Sequence, residues 1–138
     1  MDADGTNLRT LTVDTVPHIQ AYPRWSTDGK HIAYISDCGG ATDVWVIAAD
    51  GVKLRRLNQG HLGRAAFIHA AAWSPDSRHV AVDLRNAAGS LLLSYDLEGL
   101  PPDTLLVTSE IYWPTWSADG TTICFNGRSH ADGQLFDF

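Results

Sequence analysis

The stretch Trp25-Ser26-Thr27-Asp28-Gly29 decides the fold, because the chain contains it three times with small changes. The other two copies are Trp73-Ser74-Pro75-Asp76-Ser77 and Trp116-Ser117-Ala118-Asp119-Gly120. These residue types are typical of a tight hairpin turn, in which Ser and Asp bond the local backbone and Gly takes a left-handed conformation. We expect each Trp to end the strand that enters the turn. Ser77 stands where the other copies have Gly, which predicts a slightly strained turn.

The spacing of the three copies indicates a repeat architecture. Their Trp residues are 48 and 43 residues apart, and a period of roughly 40 to 50 residues is typical of the blades of a β-propeller. The distance from each Trp to the end of the predicted third strand of its unit is 22 residues in all three units. This constant distance predicts that three strands of every unit keep one register.

Each unit contains further segments with strand character. The predicted second strands are 31–35, 79–82 and 122–125, and the predicted third strands are 43–47, 91–95 and 135–138. They are β-branched, aromatic and continuously apolar, which indicates sheets that are covered on both faces. An Asp-Gly or Glu-Gly turn follows the third strand in the first two units, and the predicted fourth strands are 52–57 and 104–107. We therefore predict an all-β fold of four-stranded antiparallel blades.

The two ends of the chain are complementary in this repeat. Segment 2–11 aligns without a gap to 48–57, so the chain opens with an outer strand that has no blade, while the third unit ends before its fourth strand. We expect one propeller unit over residues 1–138. Its predicted parts are an outer strand at 2–12, blades at 17–58 and 64–108, and three strands of a third blade at 110–138.

Composition and charge argue against several classes of partner. The 138 residues are 44% hydrophobic with a net charge of −6, and no apolar run approaches the roughly 20 residues that a membrane span needs. An acidic chain is a poor match for nucleic acid or an anionic membrane, so a neutral or basic partner is expected. The acidic N-terminus has no signal-peptide pattern. Cys38 and Cys124 lack metal-ligand spacing and predict neither a disulfide nor a cofactor.

Candidate binding residues lie on the innermost strands, which line the central channel of a propeller. His69 and Tyr112 hold equivalent positions four residues before the Trp of their units, and Tyr22 and Trp113 hold the next position. His18 precedes the first inner strand and His61 lies in a loop, without a metal pattern such as His-x-x-x-His. A structural role in filling the channel wall explains these side chains more simply than catalysis does. The sequence predicts no metal site.

Catalysis by the repeated polar residues is not supported. No Gly-x-Ser-x-Gly elbow is present, and the turn itself explains the repeated Ser and Asp residues. An active site is normally singular, whereas these carboxylates recur in every unit. The residues interpreted as structural turn residues are Trp25, Asp28, Gly29, Trp73, Asp76, Trp116, Asp119 and Gly120. Asp37, Arg85 and Arg128 are interpreted as surface charges.

The repeated motif resembles a known family. The Trp-Ser-x-Asp-Gly turn, the apolar strand that follows it, the segment Val44-Trp45-Val46-Ile47, the turn Asp50-Gly51 and the segment Leu54-Arg55-Arg56-Leu57 are similar to the TolB-type β-propeller repeat. The resemblance covers the whole chain and implies one four-stranded blade per repeat. Six blades are typical of TolB itself, so this chain resembles half of a propeller. TolB-type relatives are periplasmic, but the sequence alone does not indicate a compartment.

Half a propeller would expose blade faces and an unpaired edge, which favour association. We expect two chains to close a six-bladed ring as a homodimer, with the N-terminal strand of each completing the third blade of the other. The residues expected to take part in this assembly are Leu8, Leu11, Phe136 and Phe138. A fragment of a longer propeller is the alternative.

Two functions follow from the resemblance. The first is a non-catalytic scaffold that binds a protein or peptide at the loop face or channel mouth, through candidates such as Tyr22, Tyr112 and Trp113. The second is a ligand- or metal-binding propeller of a polysaccharide lyase, or the accessory propeller of a prolyl-oligopeptidase-like peptidase. The lyase would need His and acidic ligands in the channel, and the peptidase would need a hydrolase domain. The expected function is the scaffold.

Overall fold

The computed structural model describes residues 1–12, 18–38, 42–52, 54–58, 67–99 and 101–128. The regular elements in these ranges are the following β-strands: β1 Gln20–Trp25, β2 His31–Ser36, β3 Asp43–Ala48, β4 Leu54–Arg56, β5 Phe67–Trp73, β6 His79–Asn86, β7 Gly89–Asp96, β8 Asp103–Thr108, β9 Glu110–Trp116 and β10 Ile123–Arg128. The predicted strand 135–138, with Phe136 and Phe138, and the loop residue His61 lie outside the described residues. Nothing in these ranges is a helix with the length and hydropathy of a membrane span.

The strands form three sheets in chain order. The first sheet has the order β1-β2-β3-β4 and the second the order β5-β6-β7-β8, while β9 and β10 form a two-stranded sheet. All neighbouring strands are antiparallel. The predicted all-β architecture of antiparallel four-stranded sheets is therefore confirmed. The first strand of each sheet is called its inner strand below.

The core lies between stacked sheets, as the continuous apolar strands predict. One cluster joins the second and third strands of the first sheet to the second sheet, with Val44 and Val80 completely buried. A smaller cluster joins the second sheet to β9 and contains Ala81, Leu92 and Ile111. Because β2 and β6 are covered on both faces, they carry apolar residues at successive positions instead of alternating ones.

The repeated stretch forms the hairpin between the first and second strands of each sheet. Ser26 Oγ donates to Asp28 Oδ1 at 2.7 Å and accepts from the backbone N–H of His31 at 2.9 Å. The Ser74 and Ser117 hydroxyls make the same pairs of bonds. Gly29 and Gly120 have φ of 70° and 73°, and Ser77, in the same place, has φ of 59°. The turn therefore keeps one backbone in all three sheets, and Ser77 carries the steric cost of a left-handed conformation.

The repeated Trp residues join each sheet to the one before it. Trp73 is 8% exposed, stacks on His31 with ring centroids 6.1 Å apart, and donates from Nε1 to the carbonyl oxygen of Arg24 at 3.0 Å. Trp116 packs against the cluster that contains Ile111. Trp25, whose sheet is the first of the chain, is 60% exposed. Trp25 thus marks a sheet face that has no preceding sheet within the described residues.

The N-terminal segment differs from its prediction, because residues 1–12 contain no strand in the structure. A strand exists only with a hydrogen-bonded neighbour, and no described strand of the chain pairs with this segment. Arg9 nevertheless donates to the carbonyl oxygen of Ala49 at 2.6 Å, just as Arg55 of β4 donates to the carbonyl oxygen of Leu97. The N-terminal segment therefore packs on the first sheet as β4 packs on the second.

Candidate functional site

The three inner strands are irregular at the same place. The register shifts between Ala21 and Arg24 in β1, between Ile68 and Ala71 in β5, and between Tyr112 and Thr115 in β9. Inside two of these bulges, Tyr22 and Trp113 have φ of 55° and 51°. Bulges re-aim side chains, and a left-handed backbone is uncommon for a bulky residue. The sequence alignment placed these two aromatic residues at equivalent positions but did not predict the bulges.

The two strained aromatic residues are exposed. Tyr22 is 55% exposed and Trp113 is 60% exposed, whereas Ala70, at the equivalent position of the second sheet, is small and buried. Backbone strain of roughly 1–3 kcal/mol per residue persists where the surroundings impose it, and such residues cluster at ligand sites. The inner-strand surface therefore presents two aromatic side chains that the apolar core does not use.

Asp83 of β6 holds this surface in place. Its side chain is completely buried, and its Oδ1 accepts from the backbone N–H groups of His69 at 3.0 Å and Ala70 at 2.7 Å. Its Oδ2 accepts from the backbone N–H of Trp113 at 3.1 Å. Burial raises the pKa of Asp83, and these three N–H donors oppose that effect because they favour the carboxylate. One buried carboxylate thus ties the bulges of two neighbouring inner strands together.

His69 and Tyr112 come together above this carboxylate. Their rings meet edge to face with centroids 5.0 Å apart, and His69 Nδ1 lies 3.7 Å from Asp83 Oδ2. Arg85 Nη1 donates to the Tyr112 hydroxyl at 2.7 Å and lies 3.9 Å from Glu110 Oε1. Arg85, interpreted from the sequence as a surface charge, therefore belongs to this cluster. The side chains of the cluster are held by contacts with one another, as expected of a preformed binding surface.

His18 lies apart from this cluster. Its Nδ1 is 3.7 Å from Asp37 Oδ1, and that same oxygen accepts from the backbone N–H of Ile19 at 2.8 Å. Among the described residues, no group of three or more His, Cys, Asp or Glu side chains could hold a metal ion. Cys38 and Cys124 are both free thiols.

A groove of about 380 Å³ crosses the inner strands below Trp113, toward the hairpin turns. Its lining consists of Arg24, Trp25, Thr27, Ala70, Ala71, Ala72, Trp73, Trp113, Pro114 and Thr115. Arg24 is the one ionisable side chain in this lining.

Sequence reasoning missed both Arg24 and Asp83. A charged residue inside the apolar run of β6 was the available signal for Asp83.

The remaining predicted residues lie at the turns and at the face of the first sheet on which the N-terminal segment packs. The pKa values of Asp28, Asp76 and Asp119 are lowered, in each case chiefly by the bond from the Ser hydroxyl two residues earlier, and that of Asp119 falls to about 2. Leu11 packs against Ile32, Tyr34 and Ile47, whereas Leu8 is exposed. A second groove, of about 300 Å³, lies between Leu11 and β1.

Comparison with curated proteins finds a partial relative. No protein-family model matches the chain. A 68-residue stretch is 32% identical to the "Uncharacterized peptidase YuxL" of Bacillus subtilis (strain 168), and it covers 49% of this chain but 10% of that protein. The similarity therefore concerns a small part of a much longer protein.

Solved structures share the fold over most of the chain. TolB from Acinetobacter baumannii superposes with a TM-score of 0.65 at 20% identity, over 80% of this chain and 27% of that one. The putative TolB from Agrobacterium tumefaciens gives a TM-score of 0.70 at 18% identity, over 90% and 43%. An oligogalacturonate lyase in complex with manganese gives 0.60 at 18% identity, over 80% and 30%. The chain spans less than half the length of each of these proteins. Its own fold is that of a TolB-like β-propeller.

Proposed function

We propose that this chain is a non-catalytic propeller module that binds a protein or peptide on its inner-strand surface. The observation that carries the proposal is the pair of exposed aromatic residues, Tyr22 and Trp113, held in left-handed backbone at the same position of two blades. Aromatic side chains are enriched among the residues that dominate binding energy. Core packing does not explain the left-handed backbone of these two residues, because both side chains are exposed to solvent.

A selection from a displayed library of random peptides tests this function. We expect enriched peptides to bind the wild-type protein, and Trp113→Ala to weaken that binding about tenfold or more, as truncation of a central aromatic residue does. Val107→Ala is the control, because Val107 is an exposed apolar residue of the outer strand β8. Binding that survives both Trp113→Ala and Tyr22→Ala would contradict the proposal, as would a library that yields no binder.

The proposed module is completed by a second copy of the chain. Two observations support a six-bladed ring in which each N-terminal segment becomes the outer strand of the other chain's third blade. Trp25 is exposed although the equivalent Trp73 is buried on the preceding sheet. In addition, Arg9 and Leu11 contact the first sheet as Arg55 and Leu57 contact the second. In this ring, strands of the second copy would lie in the groove beside Leu11.

The mass in solution tests this assembly. At micromolar concentration we expect sedimentation to give twice the 15.0 kDa of one chain. A folded sample with the mass of one chain would exclude the ring, and one with a concentration-dependent ladder of masses would indicate open association instead.

A second candidate function rests on the similarity to the Bacillus subtilis peptidase. In this case the chain is the accessory propeller of a longer peptidase, or the ligand- or metal-binding propeller of a lyase. On the inner strands, His69 and Asp83 would supply the catalytic or metal-binding pair of this candidate, with His69 Nδ1 3.7 Å from Asp83 Oδ2. Polysaccharide-lyase assays on the purified chain, with and without Mn²⁺, test the lyase form of this candidate, since an accessory propeller by itself would have no peptidase activity. Activity that His69→Ala abolishes would favour it over the binding module.

A further inference from the structure

The groove below Trp113 is lined by small residues in the middle and by larger residues on either side. Ala70, Ala71 and Ala72 of β5 form a floor, and Trp113 with Pro114 forms one wall. Ala70 holds the position that Tyr22 and Trp113 hold on β1 and β9, so β5 places no bulky side chain at this point of the groove. A flat apolar side chain, such as proline or an aromatic ring, can lie across small residues and stack on the exposed indole.

The opposite wall carries a positive charge that is available for binding. Arg24 is exposed, and its guanidinium contacts the carbonyl oxygen of its neighbour Pro23 at 3.3 Å. In the part of the chain that the structure describes, no carboxylate lies within 4 Å of it. A guanidinium prefers a planar, bidentate acceptor such as a carboxylate. The local charge of the groove is thus opposite to the net charge of −6 of the whole chain.

The two walls are held at a fixed separation. Asp83 bonds the backbone of Ala70 on the floor and of Trp113 on the wall, and Trp73 Nε1 bonds the carbonyl oxygen of Arg24 on the other side. These bonds join the three inner strands across the groove. A preformed groove loses less conformational freedom on binding than a flexible one does.

The geometry points to a peptide in which a proline or aromatic residue is next to an acidic residue. The flat side chain lies on the alanine floor against Trp113, and the carboxylate pairs with Arg24. This inference rests on the proposed peptide-binding function and specifies its ligand. Asp83 acts as a positioning residue, because it sets the backbone of the floor and of Trp113 without contacting the peptide.

Three capped peptides that differ at one position test this chemistry, with the sequences Gly-Phe-Glu-Gly, Gly-Phe-Gln-Gly and Gly-Phe-Lys-Gly. Calorimetry on the wild-type protein should show the Glu peptide binding most tightly, by about tenfold over the Gln peptide, as expected for a charge-assisted bond. Arg24→Glu should remove this preference and favour the Lys peptide. Arg78→Glu is the matched control, because it makes the same charge change at an exposed turn residue that pairs with Glu98.

Trp113→Phe and Asp83→Asn complete the test. Trp113→Phe keeps a flat ring and should retain most of the affinity that Trp113→Ala loses. Asp83→Asn should weaken all three peptides to a similar extent without changing their order, because it disturbs the position of Trp113 and leaves Arg24 in place. A far-ultraviolet circular dichroism spectrum equal to that of the wild type confirms that each variant is folded.

The outcomes separate this inference from the proposed function. Equal affinity of the wild type for the three peptides, tighter binding of the Lys peptide by the wild type, or an equal effect of Arg24→Glu and Arg78→Glu would overturn the acidic ligand. The binding function would still stand if the displayed library yields peptides that need Trp113. If neither the capped peptides nor any library peptide binds, both proposals fail.

Discussion

Single residues of the repeated turn carry an electrostatic signature that can be measured. The Asp119 carboxylate accepts from the Ser117 hydroxyl and from both the backbone N–H and the hydroxyl of Thr121. These bonds lower its pKa to about 2 from an ordinary value of 3.8. A carboxyl group with a lowered pKa in the folded state stabilises the fold above its unfolded pKa. That contribution is lost as the pH falls from 3.8 through about 2.

We predict that Asp119→Asn makes the free energy of unfolding depend less on pH in this window. The Asn side chain keeps an oxygen that can accept the same bonds but has no proton to gain, so the decrease toward low pH becomes shallower. Urea denaturation from pH 5 to pH 2 measures the slope. Parallel curves for the wild type and the variant would show that Asp119 does not contribute to acid unfolding.

At the scale of strands, the contact between the first and second sheets contains a buried polar group. The Tyr95 hydroxyl on β7 has no hydrogen-bond partner among the described residues, and burial together with the Asp43 carboxylate raises the pKa of Tyr95. Asp43 itself is bound by Arg56 and Asn58, each at 2.7 Å. An unpaired buried hydroxyl costs free energy, whereas the neighbouring carboxylate is paired.

We predict that Tyr95→Phe leaves the stability unchanged or raises it by up to about 1 kcal/mol, because the change removes an unpaired hydroxyl and creates no cavity. In contrast, Asp43→Ala should lower the free energy of unfolding by about 3 kcal/mol, since it leaves Arg56 and Asn58 without their acceptor. Chemical denaturation of the two variants checks both values. A loss of more than about 1 kcal/mol on Tyr95→Phe would mean that the hydroxyl is bonded in solution.

For the whole molecule, the proposed ring depends on the face of the first sheet that has no preceding sheet within the described residues. Leu11 packs against Ile32, Tyr34 and Ile47 on this face, and the groove beside Leu11 is lined by the same three residues. The equivalent residues of the second sheet, Val80, Val82 and Tyr95, pack against the preceding sheet. If two chains close a ring, folding is coupled to association, and the thermal midpoint depends on protein concentration.

We predict that Leu11→Asp lowers both the dimer fraction and the thermal midpoint, because it places a charge in the proposed contact between copies. Val107→Asp on β8 is the control, since the second sheet lies between the first and third sheets of its own chain. Thermal midpoints of both variants, measured over a hundredfold range of protein concentration, distinguish Leu11→Asp from Val107→Asp. An unchanged, concentration-independent midpoint for the wild type would contradict the ring.

Local patterns allowed much of the fold to be predicted. The segments 31–35 and 43–47 are found as β2 His31–Ser36 and β3 Asp43–Ala48, because an apolar run between two turns has few alternatives to a buried strand. The N-terminal strand was predicted from its similarity to segment 48–57, but the described single chain offers it no hydrogen-bonded neighbour. Similar residues therefore did not produce the same element.

The candidate site was only partly predictable. The alignment on the Trp residues found His69, Tyr112, Tyr22 and Trp113, because equivalent positions of a repeat occupy equivalent places in space. It could not find the bond between Asp83 and the backbone of Trp113, since those residues are 30 positions apart and lie in different sheets. Nor could it find that Arg24 faces a groove with an alanine floor.

Residue types within one repeat, together with its period, were enough to predict the Trp-Ser-x-Asp turns and the second and third strands of the first two sheets. Which side chains meet across repeats was visible only in the folded chain, as for Asp83 with the bulges of β5 and β9, or Trp73 with Arg24. The physical reason is that strand formation is set by local chemistry, whereas a bond between sheets depends on the angle and distance at which whole sheets stack.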